Sequence, residues 1–286
     1  ALPIWAALEA GKHVWCEKPM ATALADAERM AVAAERAGLV AALGYNYIQN
    51  PLVRHMARLL KAGAIGVVNH IRIEMDEDFM ADPTADFAHK HGASSGHGSL
   101  DDFGVHTLAL LEVLVGRVSR VVCHMARPYA EMATPGGGSR AVETHDAASA
   151  LIEIGGGRIA GSLQMNRAAW GRKGRIAIQV FGALGALDYE QERMNELRLY
   201  EARGPQSERG FRTILASPHH PPYDRFLPAP GHGLGFNDLK VIEAREFVRR
   251  IDGEPAHLLT FAEGIVIERT VEAMARSFKT GGWVDI

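Results

Sequence analysis

The chain of 286 residues is 47% hydrophobic and 23% charged, enough apolar material to bury one large core or two moderate ones, which excludes a disordered tract or a small adaptor. Its 31 basic and 34 acidic residues are interspersed and leave a net charge of −3, so no electrostatic footprint for nucleic acid stands out. The two cysteines, Cys16 and Cys123, make no disulfide framework and suit a reducing compartment, the cytoplasm by default, while no apolar run approaches the roughly 20 residues that span a bilayer.

In chain order, "LPIWAALEAG" has apolar residues at helical spacing, with Gly11 as a C-terminal stop, and "HVWC" follows as a short buried strand. "TALADAERMAVAAERAG" predicts an Ala-rich helix with Thr22 as N-cap and Gly38 at its end, and "LVAALGY" predicts a second buried strand. Helix, strand, helix, strand is the rhythm of a parallel sheet covered by helices. Two strands leave such a sheet incomplete, and the opening lacks an initiating Met, which predicts further strands ahead of this segment.

Beyond Tyr45 the pattern changes. "NPLVRHMARLLKAGAIG" predicts an amphipathic helix, "VVNHIRIEM" an alternating strand, "AHKHGASSGHGS" a loop and "LDDFGVHTLALLEVLVG" a helix closed by Gly116. "SRVVCHMA", "DAASALIEI", "RIAGSLQM", "RIAIQVFG" and "GALDYE" are strand candidates separated by turn signals, with "ATPGGGSRA" a flexible loop. A Pro- and Gly-rich crossing then leads into two helices, near 237–251 and 261–278. The fold class is therefore α/β plus α+β: residues 1–45 form the C-terminal part of a dinucleotide-binding Rossmann domain, and residues 46–286 an α+β domain with a large, mainly antiparallel sheet.

In open parallel sheets ligands bind beyond the carboxyl ends of the strands, so Glu17, Lys18 and Pro19, directly after "HVWC", occupy a privileged place. Lys18 carries a compact charge with three donors, able to polarise an alcohol or carbonyl oxygen, and Pro19 can fix the backbone that aims it. The plainer alternative is a solvated strand end. In "LDDFGVH", Asp102 and His106 stand one helical turn apart, where a carboxylate can orient an imidazole suited to proton transfer near neutrality. The structural alternative has Asp101 or Asp102 capping the helix and His106 bonded in a core.

Taken together, Glu17-Lys18-Pro19, "GYNYIQNP" after the next strand and "GSLDDFGVH" opening a helix resemble the Gfo/Idh/MocA oxidoreductases, and the likeness covers nearly the whole chain. Late segments such as "RGFRT" and "GLGFNDLKVIEAREFVRRI" look closest to members acting on sugars and anhydrosugars. The resemblance implies hydride transfer between a nicotinamide, NAD or NADP, and a secondary alcohol of a sugar, anhydrosugar or cyclitol. It assigns catalysis to Lys18, Asp102 and His106, with His106 as general base and Asp102 as its partner or a second substrate contact. It assigns cofactor contacts to Glu17, Lys18, Pro19 and Asn46, and substrate contacts to Tyr47 and His89. It implies a homodimer or homotetramer formed through the sheet of the second domain.

Two departures bear on the substrate: Ile48 stands where the family often has Arg, and Ala109 where an acid is frequent. No G-x-G-x-x-G lies between a strand and a helix, which leaves NAD and NADP undistinguished. Two other readings compete: a non-catalytic binding or assembly module, and a metal-dependent isomerase or lyase using Glu74, Asp76, His89, His91 and His106. The thirteen histidines favour the latter, yet none shows H-x-x-x-H or H-E-x-x-H spacing, so no metal site is expected.

Overall fold

The computed structural model describes residues 2–286. Helix α1 (Leu2–Glu9) leads into strand β1 (Val14–Glu17), and helix α2 (Leu24–Ala37) into strand β2 (Ala41–Gly44). The two strands pair in parallel, Val14 opposite Ala41 and Glu17 opposite Gly44. Gly38 ends α2 at φ +64°, where its N–H and that of Leu39 take up the carbonyls of Glu35 and Ala34. The expected Thr22 cap is absent: α2 starts later, after Ala23, which offers its N-terminus no side-chain bond.

A single 3₁₀ turn (Asn46–Gln49) joins β2 to helix α3 (Pro51–Lys61). Asn50 caps α3 by accepting from the Leu52 N–H at 2.8 Å, and Pro51 fills the first turn, where its lacking N–H costs nothing. Strand β3 (Val68–Asp76) enters the large sheet, and an irregular loop of 3₁₀ turns follows. A π-helical turn over Leu100–Gly104 then opens α4 (Val105–Leu114). From Val105 to Leu111 every residue of α4 is buried, as expected of a helix apolar on all sides and enclosed between layers.

Strand β4 (Val118–Ala126), the hairpin β5 (Glu131–Ala133) and β6 (Ser139–Ala141), and strands β7 (Ala147–Ile154), β8 (Ile159–Asn166), β9 (Arg175–Gly182), β10 (Gly185–Glu190), β11 (Glu196–Glu201) and β12 (Arg212–Leu215) follow. The chain closes with α5 (Phe236–Ile251), β13 (Leu259–Thr260), α6 (Phe261–Thr280) and β14 (Val284–Asp285). The large sheet runs β12-β11-β10-β9-β3-β8-β7-β4-β14, antiparallel except where β3 meets β8. Along β7, Ala148, Ala150, Ile152 and Ile154 face the core while Ser149 and Leu151 face outward, so helices cover one side and the other is open.

The end of the chain returns to the first sheet. Strand β13 pairs antiparallel with β2, Leu259 opposite Leu43, so both ends of the sequence build that sheet. Helix α6 ties the layers together: Glu268 accepts from the Met20 N–H at 2.7 Å, just beyond β1, and the Ser277 hydroxyl accepts from the Cys123 N–H of β4 at 2.9 Å. Gly264 lets α6 lie on β2, since a Cβ there would come within 2.1 Å of Leu43 Cδ1. Among the described residues no helix is long and apolar enough to cross a membrane.

Candidate active site

Strand β1 delivers Glu17 and Lys18 to the carboxyl end of the parallel pair, and there they meet the start of α4, the loop after β3 and the start of α5 around a cavity of about 320 Å³. The Lys18–Pro19 peptide is cis. Lys18 Nζ donates to the Asp102 carbonyl at 2.9 Å and lies 3.8 Å from its carboxylate. Burial lowers the Lys18 pKa; the Asp102 carboxylate counters that, and the Lys90 ammonium adds to it. Glu17 accepts from Lys240 Nζ of α5 at 2.6 Å, its carboxylate lying over Gly44, where a Cβ would come within 3.1 Å of Oε2.

His106 is buried on the cavity wall. The Tyr47 ring meets it edge-on with centroids 4.8 Å apart, and Tyr45 does the same at 5.9 Å. Burial, reinforced by Lys18 and Lys240, holds its pKa well below the ordinary histidine value, so the imidazole rests uncharged at neutral pH. Asn46 is buried beside it on the 3₁₀ turn, and its Nδ2 has no hydrogen-bond partner among the described residues. An unpaired buried amide costs free energy unless a ligand or water meets it.

Asp102 corrects the expected Asp102–His106 pair. Its carboxylate accepts from Lys90 Nζ at 2.7 and 2.6 Å and from Arg167 Nη1 at 2.9 Å, and it does not bond the imidazole. The π-helical turn over Leu100–Gly104 displaces the spacing that would stack the two side chains, and two cations outcompete a neutral ring for the carboxylate. Burial works against its charge, yet the bonds from Lys90 and Arg167 hold the Asp102 pKa below the ordinary value. A third carboxyl of the cavity, Glu77, makes no side-chain hydrogen bond among the described residues, and burial, with Asp102 nearby, raises its pKa.

Of the sequence-derived residues, Glu17, Lys18, Asn46, Tyr47, Asp102 and His106 all line this cavity. Pro19 and His89 do not: Pro19, half-buried, follows Lys18 without lining the cavity, and the His89 side chain is exposed while its neighbour Lys90 reaches the cavity instead. Lys90, Lys240, Glu77 and Phe236 were missed; they come from irregular loops or from far along the chain, and only the histidine-flanked "HKH" hinted at one of them. Glu74 and Asp76, candidates for a metal, are held by Arg175 Nη1 at 2.6 and 2.8 Å, and among the described residues no three ligating side chains gather. A wider cleft of about 620 Å³ beside α3 is lined by Arg54, Arg58, Lys61 and His257 over an aliphatic floor, and it joins no acid–base pair to a strand end.

Residues 3–45 match the model of an oxidoreductase family with an NAD-binding Rossmann fold, and residues 53–188 match the GFO/IDH/MocA C-terminal domain. The fold and the site thus define an NAD-binding oxidoreductase. Levoglucosan dehydrogenase from Pseudarthrobacter phenanthrenivorans is 30% identical over 98% of this chain and 75% of its own length. A solved structure of levoglucosan dehydrogenase with NADH and L-sorbose superposes with a TM-score of 0.95 at 29% identity, covering 100% of this chain and 76% of that one. An oxidoreductase domain protein from Kribbella flavida is 33% identical with a TM-score of 0.93, covering 99% and 77%. The chain belongs to the Gfo/Idh/MocA family.

The residues present suit a nicotinamide riboside. Glu17 is an acceptor at the strand end, Gly44 leaves room above it, and the orphaned Asn46 amide is a donor without a partner. When bound, the nicotinamide supplies the hydride-carrying carbon.

Proposed function

We propose that this protein transfers a hydride between a nicotinamide and a secondary alcohol of a neutral sugar, anhydrosugar or cyclitol. The observation that carries this reading is the convergence of Lys18 and an uncharged His106 on one cavity at the carboxyl ends of parallel strands. His106 takes the hydroxyl proton as hydride leaves the carbon, and the Lys18 ammonium stabilises charge growing on the oxygen. Glu17, Lys18, Pro19 and Asn46 form the cofactor side, with Glu17 and Asn46 as polar contacts. Tyr47 and Phe236, ring centroids 6.0 Å apart, give the substrate an apolar wall, and Lys90 and Glu77 offer its hydroxyls a donor and an acceptor. Asp102 acts through the lysines it holds.

The relatives named for levoglucosan and crystallised with NADH support both the substrate class and NAD. Lys18, Lys90 and Lys240 face Glu17, Glu77 and Asp102 across the cavity, a near balance that favours an uncharged polyol. Self-association through the open face of the large sheet and a cytoplasmic location complete the proposal; the free thiols Cys16 and Cys123 accord with a reducing compartment.

The test titrates NADH and NADPH against tryptophan fluorescence, then assays levoglucosan, myo-inositol and D-glucose with both oxidised cofactors. Quenching and turnover of at least one polyol are expected. Absence of quenching by either cofactor overturns the dehydrogenase reading in favour of a non-catalytic module.

A further inference from the structure

We propose that Arg167 is a positioning residue of this site: by bridging Asp146 to Asp102 it keeps Asp102 ionised and sets where Lys90 and Lys18 present their ammonium groups. The inference rests on the reading of Lys18 as the cation that acts on the reacting oxygen. Arg167 directly follows β8, and both it and Asp146 are 1% exposed. Its Nη2 and Nε donate to Asp146 Oδ1 at 2.6 and 3.1 Å, and its Nη1 donates to Asp102 Oδ2 at 2.9 Å.

The same guanidinium also secures the backbone of the loop. Nη2 donates to Thr144 Oγ1 at 3.3 Å, and that hydroxyl donates to the Lys90 carbonyl at 2.8 Å, so Lys90 is held at both its carbonyl and its ammonium. Gly98, at φ +82°, brings the chain into the π-helical turn directly against this group: a Cβ there would stand 2.3 Å from the His145 carbonyl and 3.1 Å from Arg167 Nη2.

A planar fork can serve two carboxylates at once; an ammonium is a single point charge and cannot hold the same geometry. Replacing a buried ion pair by apolar groups is often neutral for stability, so pairing alone does not account for charges here. Their placement one bond away from the carboxylate that holds Lys18 and Lys90 does. The groups facing Asp102 are Lys18 from just after β1, Lys90 from the loop, Arg167 from just after β8, Glu77 from just after β3 and its neighbour Asp101, with Asp146 behind Arg167. Removing the guanidinium takes a donor and a positive charge from Asp102, and its pKa must rise.

The experiment compares the wild type with Arg167→Lys and with the charge-neutral double variant Arg167→Met/Asp146→Asn. Carbon NMR of labelled aspartate, without cofactor or substrate and assigned with Asp102→Asn, reads Asp102 directly. Its pKa is expected to rise by about one unit or more in the double variant. Turnover should fall about tenfold or more with KM for the nicotinamide little changed, the acid limb of kcat moving to higher pH. Arg167→Lys should restore part of the turnover. A folded double variant whose Asp102 titrates as in the wild type overturns the proposal; if that variant does not fold, an unshifted Asp102 in Arg167→Gln, which removes the charge but keeps a donor, does so. Lys18→Ala separates the two claims: an active Lys18→Ala overturns the reading of the site, whereas an inactive one beside unaltered Arg167 variants overturns only the bridge.

Discussion

In the proposed mechanism His106 and Lys18 divide one task between an uncharged base and a partly desolvated cation, and the ammonium helps keep the imidazole neutral. Replacing either by Ala is expected to lower kcat about 100- to 10,000-fold with cofactor affinity nearly unchanged, measured by steady-state kinetics beside cofactor titration. Near-normal turnover in both variants would remove the assignment. Glu243 on α5 gives a second prediction. It is buried, neither carboxyl oxygen has a hydrogen-bond partner among the described residues, Lys240 Nζ lies 3.6 Å away, and burial pushes its pKa up to about 7 from an ordinary 4.5. Between those values the folded chain holds more protons than the unfolded one, so stability falls as pH rises from 4.5 to 7, by about 3 kcal/mol at full effect. Glu243→Gln should therefore stabilise the protein above neutrality and do little below pH 4.5, as thermal melts at several pH values would show. A variant equally or more stabilised in acid contradicts this.

At the scale of elements, the contact of α6 with β2 depends on the bare Cα of Gly264. Gly264→Ala must drive a methyl into Leu43, and overpacking of this kind typically costs about 1–3 kcal/mol despite the gain in helix propensity. Denaturant unfolding of the variant checks this; an unchanged midpoint would mean that α6 shifts freely on the sheet. The helices and most strands were legible because their apolar period was clear, as in "DAASALIEI", which became β7 with its even positions inward. Strands β11 and β12 escaped because "ELRLYE" and "RTIL" are short and polar-rich, and because pairing with β10 rather than composition makes them strands. "ATPGGGSRA" reads as a loop, yet its flanks pair as β5 and β6, Glu131 opposite Ala141, around the glycine tip. In the site, a strand end and a helix start singled out Lys18 and His106 but left a solvated turn and a core histidine open, and only the two motifs taken together placed them at one cavity, which both line. The one-residue miss between His89 and Lys90 arose because side-chain direction has no fixed period in an irregular loop. The Asp102–His106 pairing failed because the π-helical turn has no signature in the spacing.

For the whole molecule, titrations of opposite sign oppose one another. Burial raises Glu243 and Glu268 to about 7, which weakens the fold as pH rises, while His55 and His257, lowered to about 4 chiefly by burial, strengthen it as pH rises from 4 to 6.5. The open face of the large sheet, with Leu151 55% exposed midway along β7, is the surface on which we place self-association. Leu151→Asp should shift light-scattering mass to the monomer; an unchanged mass would place the interface elsewhere.

The return of the chain to its first sheet carries a consequence in time. Thr260 pairs with Ala42, and Lys240 meets Glu17, so the pocket is assembled from segments made early and late in synthesis. Contacts so distant in sequence form slowly and only after the intervening chain exists. On the ribosome, β1 and β2 must wait with one edge of β2 unpaired and the apolar bed of α6 uncovered. The cavity is therefore complete only once α5 and β13 have been made.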